Sequence, residues 1–405
     1  MKDFKSAQRN MFLLLWVTYA TFYLCRVNMS VAMPYIGKEF SLDKTMLGMI
    51  SSALLLSYAI GQFVNGQLND KWAKSLISVG IFGSAILNLT FPLSNNLNEM
   101  ILFWGLNGIF QSMGWSATVK IMANWYPPES RSKWSGILGS CYQIGNAASW
   151  ILSGFLAAIL GWRWAFVLPA IIFAISGVNW HFRAKQSPEE VGFKTVEGYD
   201  DSSDTHLGFR YTLGALNLRV WIIGFSFLAL DFVRYGFIVW IPTFLYDIGI
   251  PMQSVALKSA VLPIAGSVGA VVSGYFTRKF FEDKCTRLAG IFTLLLGVFV
   301  LIFPMFSQWN LPFLALVGFL IYGPHVLMVA TLPQQLGTRK ASASVTGFID
   351  CLGYLGASVV SLLSGYLIDV YGWNSAFIFW AIGAFCSAGL MLVHWNYKLE
   401  KRRYA

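Results

Sequence analysis

Residues 154–166 read GFLAAILGWRWAF, and residues 365–377 read GYLIDVYGWNSAF. At a shift of 211 residues the leading glycine, the Gly-Trp pair and the Ala-Phe pair coincide. Each stretch sits where one long apolar segment ends and the next begins. Upstream, Gly136 and Gly145 fall on Gly347 and Gly356 at the same shift. Small residues of this kind let helices approach closely in lipid. A chain that repeats itself in this way, with six apolar segments on each side, reads as two pseudo-symmetric six-helix halves related by an axis along the membrane normal.

Composition supports that class. The chain has 405 residues, 56% hydrophobic and 12% charged, against about 25% charged in soluble domains. Many apolar runs exceed the roughly 20 residues that span a bilayer as a helix. Twelve spans are expected, at 11–37, 46–68, 75–94, 99–124, 134–158 and 163–183, then 219–247, 255–277, 287–306, 311–332, 342–368 and 374–395. This is an all-α membrane protein: a six-helix half at 1–183, a polar central loop at 184–217, and a second half at 218–405.

Lysine and arginine set the orientation. With a cytoplasmic N-terminus, 22 of them fall on inner loops and tails and 4 on outer loops. That asymmetry places both termini in the cytoplasm by the positive-inside rule. The N-terminus Met1–Asn10 is polar, and the first apolar run is too long for a signal peptide. The net charge of +10 is scattered over short loops, so nucleic acid is not expected as a partner. The five cysteines show no metal or redox spacing and read as free thiols; neither metal nor cofactor is expected.

The three remaining basic residues lie inside spans: Arg26 in the first, Lys120 in the fourth and Arg234 in the seventh. A charge at mid-membrane depth costs roughly 2.5–3.5 kcal/mol on insertion scales and usually faces a bundle interior or watery cavity. Arg26 and Arg234 are 208 residues apart, at matching places in the two halves. Such a pair points to an anion. Planar guanidinium forks bind carboxylate or phosphate bidentately. Asp231 lies one turn before Arg234 on the same helical face, a possible resting partner. Tyr19 and Tyr23 share the face of Arg26.

The stretches YLCRVNMSVAMPYI (23–36), GWSATVKIMANWYP (114–127), DFVRYGFIVWIPTFLYD (231–247), GFLIYGPHVL (318–327) and TGFIDCLGYLGASV (346–359) carry a family likeness. Together they resemble the organophosphate:phosphate antiporters of the major facilitator superfamily, which include glycerol-3-phosphate and hexose-phosphate transporters. The resemblance runs through nearly the whole chain and is weakest in the central loop. It implies the major facilitator fold, and it implies that Arg26 and Arg234 clamp a phosphate group. Tyr19, Tyr23, Tyr322 and Tyr354 match tyrosines near that site, and Lys120 stands where the family carries Arg or Lys. The loop GQLNDK, with Asp70 and Lys71, resembles the family's gating loop between helices two and three.

The departures are specific. Gln62, in YAIGQF, replaces a lysine of helix two, and Tyr142, in GSCYQIGNA, replaces a histidine of helix five. Val239 and Pro263 replace acidic residues of helices seven and eight. Asp231 and Asp350 are added inside the membrane, and His325 follows Tyr-Gly-Pro in the tenth span; these three are candidates for ion coupling or charge pairing.

The resemblance implies a monomeric secondary transporter, not an enzyme, that exchanges an organophosphate for inorganic phosphate across a bacterial-type inner membrane by alternating access. Two alternatives stay open. One is a proton-coupled symporter of a sugar acid or other organic anion, with Asp231 and Asp350 as proton carriers. The other is a membrane sensor of a phosphorylated metabolite, a role also found in this family.

Overall fold

In the computed structural model, residues 4–194, 218–281, 284–332 and 341–393 are described, and every regular element among them is helical. The longer helices are α1 (Phe4–Phe22), α2 (Asn28–Phe40), α3 (Lys44–Thr90), α4 (Leu97–Gln111), α5 (Trp115–Trp125), α6 (Pro128–Ile159) and α7 (Trp164–Arg183). After the central segment come α8 (Leu218–Asp247), α9 (Met252–Phe280), α10 (Cys285–Ile302), α11 (Asn310–Val326), α12 (Ala341–Tyr371) and α13 (Trp373–Leu392).

Four expected spans are drawn differently. The first is not continuous. It breaks between α1 and α2 through a 3-10 turn at Tyr23–Cys25, and Arg26 (φ −120°, ψ −47°) sits in the break. The second and third spans are not separated by a loop, because α3 runs through both with a kink at Trp72 (φ −127°, ψ 23°). The side chains of Asp70 and Lys71 lie outside the described residues. The fourth span is interrupted at Ser112–Gly114, between α4 and α5. Ten helical stretches among the described residues are long and apolar enough to cross a membrane. The expected fourth and fifth spans are the two not among them. The fourth is divided into short helices. The fifth, α6, is unbroken but carries buried Gln143, Asn146, Ser149 and Ser153, which lower its apolarity.

Two helix starts follow from their capping residues. Asp43 accepts the backbone N–H of Met46 at 2.7 Å to open α3. Asn96 accepts from Glu99 N at 3.0 Å, while Glu99 accepts from Asn95 N at 2.8 Å, a reciprocal cap at the start of α4.

The chain divides into two compact units. One holds Met1–Thr205 with Pro242–Ala260; the other holds His206–Ile241 with Val261–Ala405. Within the first, Lys44 Nζ meets Asp247 Oδ2 at 3.0 Å, and the rings of Tyr35 and Tyr246 lie 5.6 Å apart. Each unit contains one close helix approach of the same kind. In the first, a side chain at Gly145 of α6 would strike the carbonyl of Ala20. In the second, one at Gly356 of α12 would strike the carbonyl of Leu228. Glycine is required at these two places because backbone meets backbone, and the repeat seen in sequence is a repeat of that close approach.

Candidate functional site

In the first unit the break around Arg26 frees backbone carbonyls in a membrane interior, where each unsatisfied group is costly. Side-chain amides take them. Asn107 Nδ2 donates to Cys25 O at 2.9 Å and Asn88 Nδ2 donates to the same oxygen at 3.2 Å. Gln111 Nε2 donates to Phe22 O at 3.2 Å and to Ser84 Oγ at 2.8 Å. Asn28 Nδ2 ties the start of α2 to Asn88 Oδ1 at 3.0 Å. Helices α3 and α4 thus hold the unwound turn in place.

Arg26 is only 5% exposed. Its Nε donates to Gln111 Oε1 at 2.9 Å. Its guanidinium carbon lies 4.6 Å from the ring centroid of Tyr23 and 4.7 Å from that of Tyr58. Two aromatic faces stabilise the cation without neutralising it. Gln62 Nε2 donates to Tyr58 Oη at 3.0 Å. Tyr19 packs on Tyr23 and Trp115, and Tyr142 lies 6.2 Å from both Tyr23 and Trp115. The result is a rigid cation in an aromatic cup.

The second unit builds a related half-site with two differences. Arg234, also 5% exposed, lies on unbroken helix, with its guanidinium carbon 4.9 Å from the centroid of Tyr235 and 5.6 Å from that of Tyr322. Its Nη1 donates to Asp231 Oδ1 at 3.3 Å, one turn back on α8. Tyr354 packs on Tyr235 at 5.6 Å, and His325 lies 5.7 Å from Tyr322 and 5.3 Å from Phe227. Asp350 of α12 is buried within electrostatic reach of both Asp231 and Arg234.

Of the residues singled out in sequence, Tyr19, Tyr23, Gln62 and Tyr142 gather with Arg26, and Asp231, Tyr322, His325, Asp350 and Tyr354 gather with Arg234. Lys120 is half-buried on α5. Tyr58, Trp115, Tyr235 and the amides Asn28, Asn88, Asn107 and Gln111 belong to the half-sites and were not anticipated. Asn107 and Gln111, four apart in an apolar helix and so on one face, were the available signal.

The sequence profile of the Major Facilitator Superfamily matches residues 15–361. The chain belongs to that superfamily. Among curated relatives, this facilitator is 26% identical over 426 residues to a "Probable hexose phosphate transport protein" of Chlamydia trachomatis, covering 98% of the chain and 92% of that protein. It is 27% identical over 419 residues to the "Glycerol-3-phosphate transporter" of Bacillus subtilis, covering 97% and 93%. It is 24% identical to the "Membrane sensor protein UhpC" of Escherichia coli, covering 96% and 92%. These are relatives of the organophosphate:phosphate antiporter branch that the motifs resemble. Among solved structures, a bacterial homologue of the human lysosomal transporter Spinster, in an inward-facing and unoccupied conformation, shares the fold at TM-score 0.76 and 16% identity, over 97% of this chain and 96% of that one.

Proposed function

We propose that this facilitator exchanges an organophosphate of the sugar-phosphate or glycerol-phosphate type for inorganic phosphate. The observation that carries the reading is the pair of buried arginines at equivalent places, each laid against two tyrosine rings. A guanidinium so placed keeps its charge and presents a fixed edge to a tetrahedral oxyanion. Full-length similarity to a hexose-phosphate and a glycerol-3-phosphate transporter supports phosphate as the oxyanion. Arg26 and Arg234 together hold the phosphate group. A bound anion draws the halves together and eases the change of facing; the empty carrier changes facing slowly, which makes exchange obligatory. The working location is a bacterial-type inner membrane, with both termini cytoplasmic and the monomer as the working unit.

Proteoliposomes loaded with a panel of phosphorylated and carboxylated metabolites test this. Uptake of labelled phosphate should be driven by internal sugar phosphates or glycerol phosphate. Uptake of a sugar acid driven by a pH gradient, with no phosphate exchange, would establish the proton-coupled symporter that Asp231 and Asp350 favour. The relation to a membrane sensor favours a third reading. Specific phosphate-ester binding with no measurable flux would support it.

A further inference from the structure

We infer that Asp231 is the proton-accepting counter-ion of Arg234, so that an anion reaches Arg234 together with a proton. This rests on the phosphate reading of the site and adds a charge balance to it.

The two halves differ at one equivalent position. Three residues before Arg26 stands Tyr23, whose ring faces the guanidinium; three residues before Arg234 stands Asp231, whose carboxylate accepts from it. The six expected spans of the first half contain no Asp or Glu except Glu99 at the start of the fourth. Besides Asp247 at the end of the seventh, the second half places two carboxylates inside its spans, Asp231 and Asp350, both within electrostatic reach of Arg234.

Asp231 is fully buried, and the geometry leaves one of its oxygens open. Oδ1 is on Arg234, while Oδ2 accepts no hydrogen bond among the described residues. Across from it α12 carries Gly353, where a Cβ would lie 2.7 Å from Oδ2. A buried carboxylate oxygen with no donor has a natural occupant, a proton. The charged and titratable groups around this ion pair are Tyr235 from the same helix, Tyr322 and His325 from α11, and Asp350 and Tyr354 from α12.

The charge balance decides the order of events. In the empty site Arg26, Arg234, Asp231 and Asp350, all buried, sum to zero. A phosphate monoanion added to these four groups would leave one uncompensated negative charge in the membrane interior, which is strongly disfavoured. A proton from bulk water, taken onto Asp231 Oδ2 on the side to which the site is open, restores neutrality. It also releases the guanidinium edge that Asp231 had held, and that edge passes to the phosphate oxygens. On release of the anion the proton leaves and the ion pair re-forms.

The test is calorimetric titration of the purified full-length protein with inorganic phosphate, in buffers of different ionisation enthalpy at one pH. Protonation of phosphate itself contributes equally to wild type and variants. Wild type should take up about one proton more per bound phosphate than Asp231→Asn, and Asp231→Glu should retain the extra proton. Equal proton counts in wild type and Asp231→Asn would overturn the assignment. So would an extra proton that persists in Asp231→Asn and disappears in Asp350→Asn. If Asp231→Asn does not fold, the wild-type protein decides: its phosphate-induced infrared difference spectrum should gain the carbonyl band of a protonated carboxyl group, and absence of that band would overturn the inference. A wild type that binds no phosphate would instead overturn the phosphate reading on which the inference stands.

Discussion

Gln111 accepts a hydrogen bond from Arg26 Nε at 2.9 Å, and through its own amide nitrogen it donates to the carbonyl of Phe22. One side chain therefore orients the buried cation and closes the broken helix that carries it. The two roles separate on substitution. Gln111→Leu removes an acceptor and a donor from a buried network and should destabilise the protein by about 1–3 kcal/mol, read as a lower melting temperature in detergent. Gln111→Glu also loses the donor to Phe22 O, and it sets a carboxylate against Arg26. It should share that destabilisation and, beyond any change seen in Gln111→Leu, raise the apparent Kd for phosphate about tenfold or more, because the built-in anion competes with the ligand. Unchanged affinity in Gln111→Glu would separate Arg26 from the anion.

Tyr58 lies against Arg26 with its ring centroid 4.7 Å from the guanidinium carbon. Tyr58→Phe keeps the face and loses the hydroxyl that accepts from Gln62, so exchange should fall by less than about threefold. Tyr58→Leu loses the face. A buried cation–π contact is worth about 0.5–2 kcal/mol, so transport should fall several-fold more than in Tyr58→Phe. Equal behaviour of the two variants would show that the ring serves packing alone.

The matched glycines predict matched failures. A Cβ at Gly145 meets the Ala20 carbonyl, and one at Gly356 meets the Leu228 carbonyl. Gly145→Val and Gly356→Val should each lower thermal stability by about 1–3 kcal/mol or more, since backbone must move to admit the side chain. Valine at Gly136, where no heavy atom lies near a built Cβ, should be tolerated. Fluorescence-detected unfolding of the three variants checks the order.

Much of this arrangement was legible from charge alone. Arg26, Arg234, Asp231 and Asp350 stand out because apolar spans tolerate such residues only with partners. Tyr19, Tyr23, Tyr142 and Gln62 were reached through family likeness, which supplies positions but no geometry. Tyr58, Trp115 and Tyr235 were not reached, because an aromatic residue in an apolar helix looks the same whether it packs or cups a cation. The break at Arg26 was hidden for a physical reason. Residues 22–27 contain neither glycine nor proline, and the broken turn is held by amides that come from α3 and α4, far away in the chain. The segment GQLNDK was read as a loop because it is polar; α3 runs through it as helix, with the kink at Trp72.

The most direct measurement is exchange of labelled phosphate in proteoliposomes, with wild type, Arg26→Lys and Arg234→Lys reconstituted side by side at equal amounts of inserted protein. Lysine keeps the charge and loses the bidentate fork. Both variants should lose nearly all exchange, at least about a hundredfold, or roughly 2.8 kcal/mol of anion stabilisation. Near-normal exchange in either variant would contradict a phosphate held by both arginines.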